Sequence, residues 1–406
     1  MSILIHCGQL IDGLGGTHAD TAVVVEDGRI VSTQAWRADL ASAGSHDRVL
    51  DYSAATVMPG LIEAHGHMGL IGDALQLSAA EIAAHIFGNV TTALDEGFTT
   101  VRDAGGIDGG VAACVTTGLI KGPRILPSGP FMSQTGGHGD TWNKWHGGGN
   151  PSVPGLVRTA IVADGPDAVR KAARDVFRRG ATQIKVCVSG GVSSGGNLDV
   201  CEFTVAELAA LVEEAQTKKT YVHAHAHTAA SIRHGLAAGI RHFEHGSMLD
   251  EETAALMREQ GAFLVPTLLV LKRLIAVETS PARRSMLEDL AASVNVSVRR
   301  AVSADVPVGS GSDLLGTDQR GRAEEIVLKA DLIGPMAAIV SATSTNARII
   351  GLEGHVGSVV PGARADLLVI DGDPVEDPAV LMDRSRILAV LRDGAVVAGL
   401  QHETAA

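Results

Sequence analysis

Two rhythms divide the chain. Near both ends, short apolar runs alternate with turns: 3–5, 10–11, 22–26 and 29–32 at the amino end, then 366–370, 387–392 and 395–398 at the other. Val- and Ile-rich runs of this length predict strands. Asp27-Gly28 stands between two such runs and predicts a tight hairpin, and Asp371-Gly372 and Asp393-Gly394 flank the later ones. In between, strand-like runs take turns with helical patterns. The strand candidates are 57–67, 99–103, 124–128, 183–189, 221–227, 242–245, 263–268 and 307–313. Helical patterns include 166–179, closed by Gly180, and 204–218, opened by Thr204 and Glu207 as a capping box. Eight strand-helix repeats predict an α/β chain closed into a (β/α)8 TIM barrel over 57–355. The strands of 1–56 and 356–406 are expected to meet in one small β-sandwich beside it. No Gly-x-Gly-x-x-Gly opens a helix after the first strand, which disfavours a dinucleotide-binding sheet.

Composition narrows the class. The 406 residues are 45% hydrophobic with 48 glycines and 3% aromatic residues, enough apolar content for a large core. A formal charge of −13 disfavours nucleic acid or an anionic membrane as partner, since both attract basic surfaces. Cys7, Cys114, Cys187 and Cys201 are far apart, so neither a disulfide framework nor a thiolate zinc site is indicated, and a reducing cytoplasm is expected. The amino terminus lacks the basic and long apolar regions of a signal peptide, and no run has the ~18 apolar residues of a spanning helix.

Chemistry gathers at the carboxyl ends of the expected strands, where barrels of this type carry their sites. His65 and His67 end the first; positions i and i+2 of a strand share a face, so two imidazoles converge, and a divalent metal is their usual occupant. Lys185 lies inside an apolar strand, either as a salt-bridged lysine or as an amine carbamylated by carbon dioxide into a metal-bridging carboxylate. His223, His225 and His227 share one face; at least one is expected to be a ligand, with His223 the best candidate for a satisfied core histidine. His242 and His245 are expected to face opposite sides, His245 inward. Asp313 closes a small-residue strand, as a helix cap or as a metal-linked carboxylate that moves a proton. His138, in Thr135-Gly136-Gly137-His138-Gly139-Asp140, is a substrate contact or a loop residue. The long connection 133–155 holds Trp142, Trp145 and His146 and is expected to cover an apolar substrate group or to pack between subunits.

Taken together, His65-Gly66-His67 after Pro59-Gly60-Leu61, Lys185 before Ser189-Gly190-Gly191, His225, Phe243-Glu244-His245-Gly246 and Gly311-Ser312-Asp313 resemble the metal-dependent amidohydrolase superfamily. The 135–140 motif and the Lys185 region are similar to its imidazolonepropionase-like branch, which includes Xaa-Pro dipeptidases and ochratoxin-type amidases. Pro361-Gly362-Ala363-Arg364-Ala365-Asp366-Leu367 is similar to the superfamily's carboxyl-terminal sandwich segment, so the likeness spans nearly the whole chain. The resemblance implies two divalent ions, zinc by default with manganese, cobalt or iron as alternatives. One would be held by His65, His67, carbamylated Lys185 and Asp313, the other by Lys185, His225 and His245, with a hydroxide bridging the pair. It further implies substrate-contact roles for His138 and His227, proton transfer by Asp313, and a homo-oligomer. His227 stands where some members carry tyrosine. Imidazolonepropionase itself lacks the bridging lysine, so Lys185 argues for the binuclear side. The expected reaction is cleavage of an amide in a dipeptide or N-acyl amino acid. The same centre would serve a urea, carbamate or cyclic amide, and a non-catalytic scaffold would require lost ligands.

Overall fold

Residues 1–42, 46–72, 76–140, 152–192 and 198–400 are described in a computed structural model of the chain. The two ends build one seven-stranded sheet from Ser2–Ile11, Thr17–Glu26, Arg29–Ala35 and Arg48–Pro59 together with Leu367–Ile370, Ile387–Arg392 and Ala395–Ala398. Arg48–Pro59 is the seam: it runs parallel to Ser2–Ile11 and antiparallel to Leu367–Ile370. Asp27 and Gly28 both have positive φ, 47° and 79°, as a tight hairpin of that twist requires. Asp371-Gly372 makes no such hairpin; Ile370 pairs with Ile387, and the residues between them form a longer excursion.

Alternation sets the two faces of this sheet. Leu367 and Val369 join Ile3, Ile5, Val23 and Val57 in one apolar cluster. Leu368 and Ile370 turn the other way, against Leu61, Phe98 and Val90 of the central region. The end sheet is thus fastened to the centre by burial of one face.

The expected strand 57–67 is divided. Residues 57–59 belong to the end sheet, and the first central strand is Leu61–Gly66. The chain breaks at Gly60, where an added Cβ would meet the Thr99 side chain at 2.3 Å. Leu61–Gly66, Phe98–Asp103 and Arg124–Pro127 pair in parallel, as do Phe131–Ser133, Ile184–Cys187, Val222–Thr228, His242–Met248 and Phe263–Val265. The two groups are joined by Thr182 N donating to Pro127 O at 2.8 Å.

The stretch 307–313, expected as a strand, forms one bridge, Val308 to Leu264, and otherwise runs irregularly. It nevertheless links both neighbours. Gly309 N donates to Leu264 O at 2.8 Å, Ala64 N to Ser310 O at 3.1 Å and Asp313 N to His65 O at 2.9 Å. Small residues are required: a Cβ on Gly311 would stand 2.4 Å from His65 Cβ. The expected helices appear as Pro166–Arg178 and Val205–Thr217, the latter with its Thr204/Glu207 capping box in place. Among the described residues no helix is long and apolar enough to cross a membrane.

Candidate active site

His65 and His67 are buried at the end of Leu61–Gly66, and each has one ring nitrogen already committed. His65 Nδ1 donates to Glu244 Oε2 at 2.6 Å, and His67 Nδ1 donates to the Gly105 carbonyl at 2.8 Å. A neutral imidazole that donates from Nδ1 presents a lone pair at Nε2. The two Nε2 atoms lie 3.3 Å apart, and Asp313 Oδ1 is 3.4 Å from the first and 3.3 Å from the second. Two nitrogens and a carboxylate oxygen therefore converge, all within 4.8 Å of one another. Lys185 Nζ completes the corner at 3.4 Å from His65 Nε2.

Burial drives His67 down to about 3, so it is neutral at pH 7. Burial alone would lower His65 as well, but Asp313 and Glu244 hold it up. Asp313 would be raised by burial, yet the surrounding imidazoles keep it well below the usual carboxylate range. Lys185 is lowered chiefly by burial, which favours its neutral amine. The donor set is one a divalent transition metal takes, with histidines oriented by a carboxylate and a carbonyl behind them.

A second group faces the first. His225 and His227 alternate along Val222–Thr228, with His225 Nε2 donating to Gly190 O at 3.2 Å and so freeing Nδ1. His245 lies 4.5 Å from His225 and 5.0 Å from His65, ring centre to ring centre, and thus connects the two groups. Its φ of +70° breaks the strand's alternation. Glu244 and His245, though adjacent, consequently both reach the site, which a regular strand would not allow. His242 is a packing residue as expected, stacked on Tyr221 at 4.0 Å. His223 is satisfied on both nitrogens, by Ser128 Oγ and Glu244 Oε1, each at 3.0 Å.

His138 stacks on His225 at 4.3 Å, and its backbone N donates to Glu202 Oε1 at 2.6 Å. His227 Nδ1 lies 2.8 Å from Ser247 Oγ, while its buried Nε2 has no partner among the described residues. Burial lowers His138 to about 4 and His227 to about 3. The eight residues expected to hold metal or touch substrate, His65, His67, His138, Lys185, His225, His227, His245 and Asp313, thus meet in or beside one cavity of about 700 Å³, open mouth included. Its wall is apolar, with Leu70, Phe131, Val270, Leu271 and Leu274. Trp142, Trp145 and His146 lie outside the described residues.

Sequence reading missed the groups behind the ligands. Glu244 is fully buried and receives His65, His223 and Arg102, whose Nη2 donates to Oε1 at 2.7 Å. Glu63 accepts from His65 N at 2.9 Å and Ser312 N at 3.0 Å, tying the strand of His65 and His67 to the segment of Asp313. Charged residues inside apolar strands were the available signal: Arg102 among Thr99–Val101, and Glu63 two residues before His65.

Comparison with known proteins adds four findings. The Amidohydrolase family pattern matches residues 56–397. Ochratoxinase of Aspergillus niger is 30% identical over 420 residues, covering 98% of this chain and 86% of that protein. Among solved structures, a prolidase complexed with N-methylphosphonate-L-proline is 35% identical with a TM-score of 0.89, covering 98% of this chain and 100% of that one. A Xaa-Pro dipeptidase with methionine bound in its active site is 27% identical with a TM-score of 0.85, covering 98% and 99%. With the family pattern spanning most of its length and its histidines, lysine and aspartate gathered in one cavity, the chain belongs to the amidohydrolase family and is a hydrolase of C–N bonds.

Proposed function

We propose that the chain cleaves the amide bond of a dipeptide or N-acyl amino acid with a hydrophobic or proline end. The reading is supported by the convergence of His65 Nε2, His67 Nε2 and Asp313 Oδ1 beside Lys185, at the floor of an apolar cavity. The relatives named ochratoxinase, prolidase and Xaa-Pro dipeptidase favour amides of this kind. In this reading residues 60–355 are the closed (β/α)8 barrel, three residues shorter than expected because 57–59 pair in the end sheet, and the bonds of 307–313 to both neighbouring strands support it. Residues 1–59 and 356–406 are the composite sandwich, supported by the cluster along one face of the end sheet.

His65, His67, carbamylated Lys185 and Asp313 would hold one divalent ion, zinc by default, and Lys185, His225 and His245 a second. Bound there, the ions supply a water nucleophile at neutral pH and polarise the scissile carbonyl. Asp313, ionised at neutral pH, accepts the proton of the attacking water and passes it to the leaving nitrogen, which departs as a neutral amine. His227 serves the substrate carbonyl when Ser247 Oγ–H donates to its Nδ1, because Nε2 then carries the proton and becomes the donor. His138, stacked on His225, contacts the substrate from the facing loop.

Metal content and amide hydrolysis are measured together for the parent and Lys185→Ala. The expected result is about two ions per parent chain, fewer in the variant, and loss of hydrolysis by at least about 100-fold. Equal metal and equal rates in the two proteins overturn the two-ion assignment. Release of carbon dioxide with an amine, in place of a free amino acid, moves the reading to a urea or carbamate.

A further inference from the structure

The cavity above the site does not end at its mouth. It shares Val270, Leu274 and Leu315 with a second cavity of about 1080 Å³, open space included. The second adds Leu314 and Val277, then Arg273 and Arg320. Val270, Leu274 and Val277 are spaced four and three residues apart on the helix Leu268–Val277, so one apolar helix face runs from the first cavity into the second.

That helix is tied to the reacting centre at its start. Thr267, immediately before it, hydrogen bonds through Oγ1 to His245 Nδ1 at 2.7 Å, and Leu269 N donates to Glu325 Oε2 at 2.8 Å. The apolar face therefore keeps a fixed position relative to the imidazoles.

The charges along this path are already paired: Arg273 Nη2 meets Glu324 Oε2 at 2.9 Å, and Arg320 meets Asp318. Among the described residues lining the two cavities, the carboxylates are Asp313 and Asp318. Asp313 faces His65 and His67, and Asp318 is paired with Arg320 Nη2 at 2.5 Å. A dipeptide carries an α-ammonium, largely protonated at pH 7. Placed on this path it would lose water without gaining a free carboxylate, because Asp318 is held by Arg320 and the Glu324 beside Arg273 is held by that guanidinium. An uncharged acyl chain instead covers Val and Leu surface and releases water.

We infer that the site selects N-acyl amino acids with an uncharged, elongated acyl group over free dipeptides, the chain lying along the Val270, Leu274 and Val277 face. This rests on the amide-hydrolase reading and chooses between the two substrate classes it contains.

The test compares Ala-Phe with its des-amino counterpart N-propanoyl-Phe, and then N-acetyl-, N-butanoyl-, N-hexanoyl- and N-octanoyl-Phe, by free phenylalanine released from the metal-loaded enzyme. The propanoyl substrate is expected to exceed the dipeptide at least tenfold in kcat/KM. Each added methylene is expected to raise kcat/KM about three- to fourfold until the face is filled. In parallel, octanoate is titrated into metal-free protein by calorimetry, and it is expected to bind wild type at least tenfold more tightly than Leu315→Asp. Leu315 is 39% exposed, so the folded state tolerates the charge. In the loaded enzyme Leu315→Asp should flatten the chain-length dependence and shift preference toward the dipeptide. Ala-Phe cleaved as well as N-propanoyl-Phe, with no dependence on chain length, overturns the inference and leaves the hydrolase reading standing. Cleavage of neither class overturns both.

Discussion

Replacing Glu244 with glutamine changes one buried charge and little volume, yet three donors depend on that carboxylate. Oε2 accepts from His65 Nδ1 at 2.6 Å, and Oε1 accepts from Arg102 Nη2 at 2.7 Å and His223 Nδ1 at 3.0 Å. Arg102 and Glu244 are both fully buried. Glu244→Gln leaves the guanidinium uncompensated, and the amide's own N–H groups must face a donor. Removing one partner of a buried ion pair costs about 3–5 kcal/mol. For 406 residues at roughly 2.1 cal/mol/K each, the unfolding entropy is about 0.85 kcal/mol/K, so the expected fall in melting temperature is about 4–6 °C. The measurement is circular dichroism during heating or urea titration, made in chelator so that bound metal does not add to stability. A double variant, Arg102→Met with Glu244→Gln, should lose less than the sum of the single losses, because the stranded cation is gone. In the loaded enzyme, weaker orientation of His65 should lower metal affinity about 10- to 100-fold. A Glu244→Gln protein within about 1 kcal/mol of the parent, or additive losses in the double variant, would refute the claim that this pair holds His65 in place.

Two further outcomes follow from the same geometry. Gly311→Ala puts a Cβ 2.4 Å from His65 Cβ and 2.9 Å from His65 N; the strand must move away, and metal affinity should drop about tenfold or more with helical content retained, so unchanged metal binding by titration would count against it. Burial pushes the Glu202 carboxyl up to about 7, whereas in the unfolded chain it titrates near about 4.3. The native state then holds the extra proton, so this group's contribution is fully present below about pH 4.3 and is lost as pH rises through about 7. Melting temperature measured from pH 4.5 to 8 should include this decline in the parent and lack it in Glu202→Gln; equal slopes in the two proteins would show that Glu202 titrates normally.

Local sequence determined a good deal of this protein. The Asp27-Gly28 hairpin, the Thr204/Glu207 helix start, most of the parallel strands, the strand-end placement of His65 and His67 and the strand placement of Lys185, His225 and His245 follow from residue type and spacing. So does the sorting of His223 into the core, since its depth in the strand carries that information, whereas His245 enters the site through its positive φ. The tertiary structure alone decided the rest, because the deciding contacts join residues far apart in the chain. Arg48–Pro59 goes to the end sheet rather than to the first central strand because Leu367–Ile370, some 300 residues later, pairs with it. The stretch 307–313 gives up a regular ladder because His65 leaves no room for a side chain at Gly311. Glu244 looked like one more strand residue, but the positive φ at His245 and the arrival of Arg102 make it the common acceptor behind two histidines. Spacing along a strand says which way a side chain points, and only the packed fold says what it meets there.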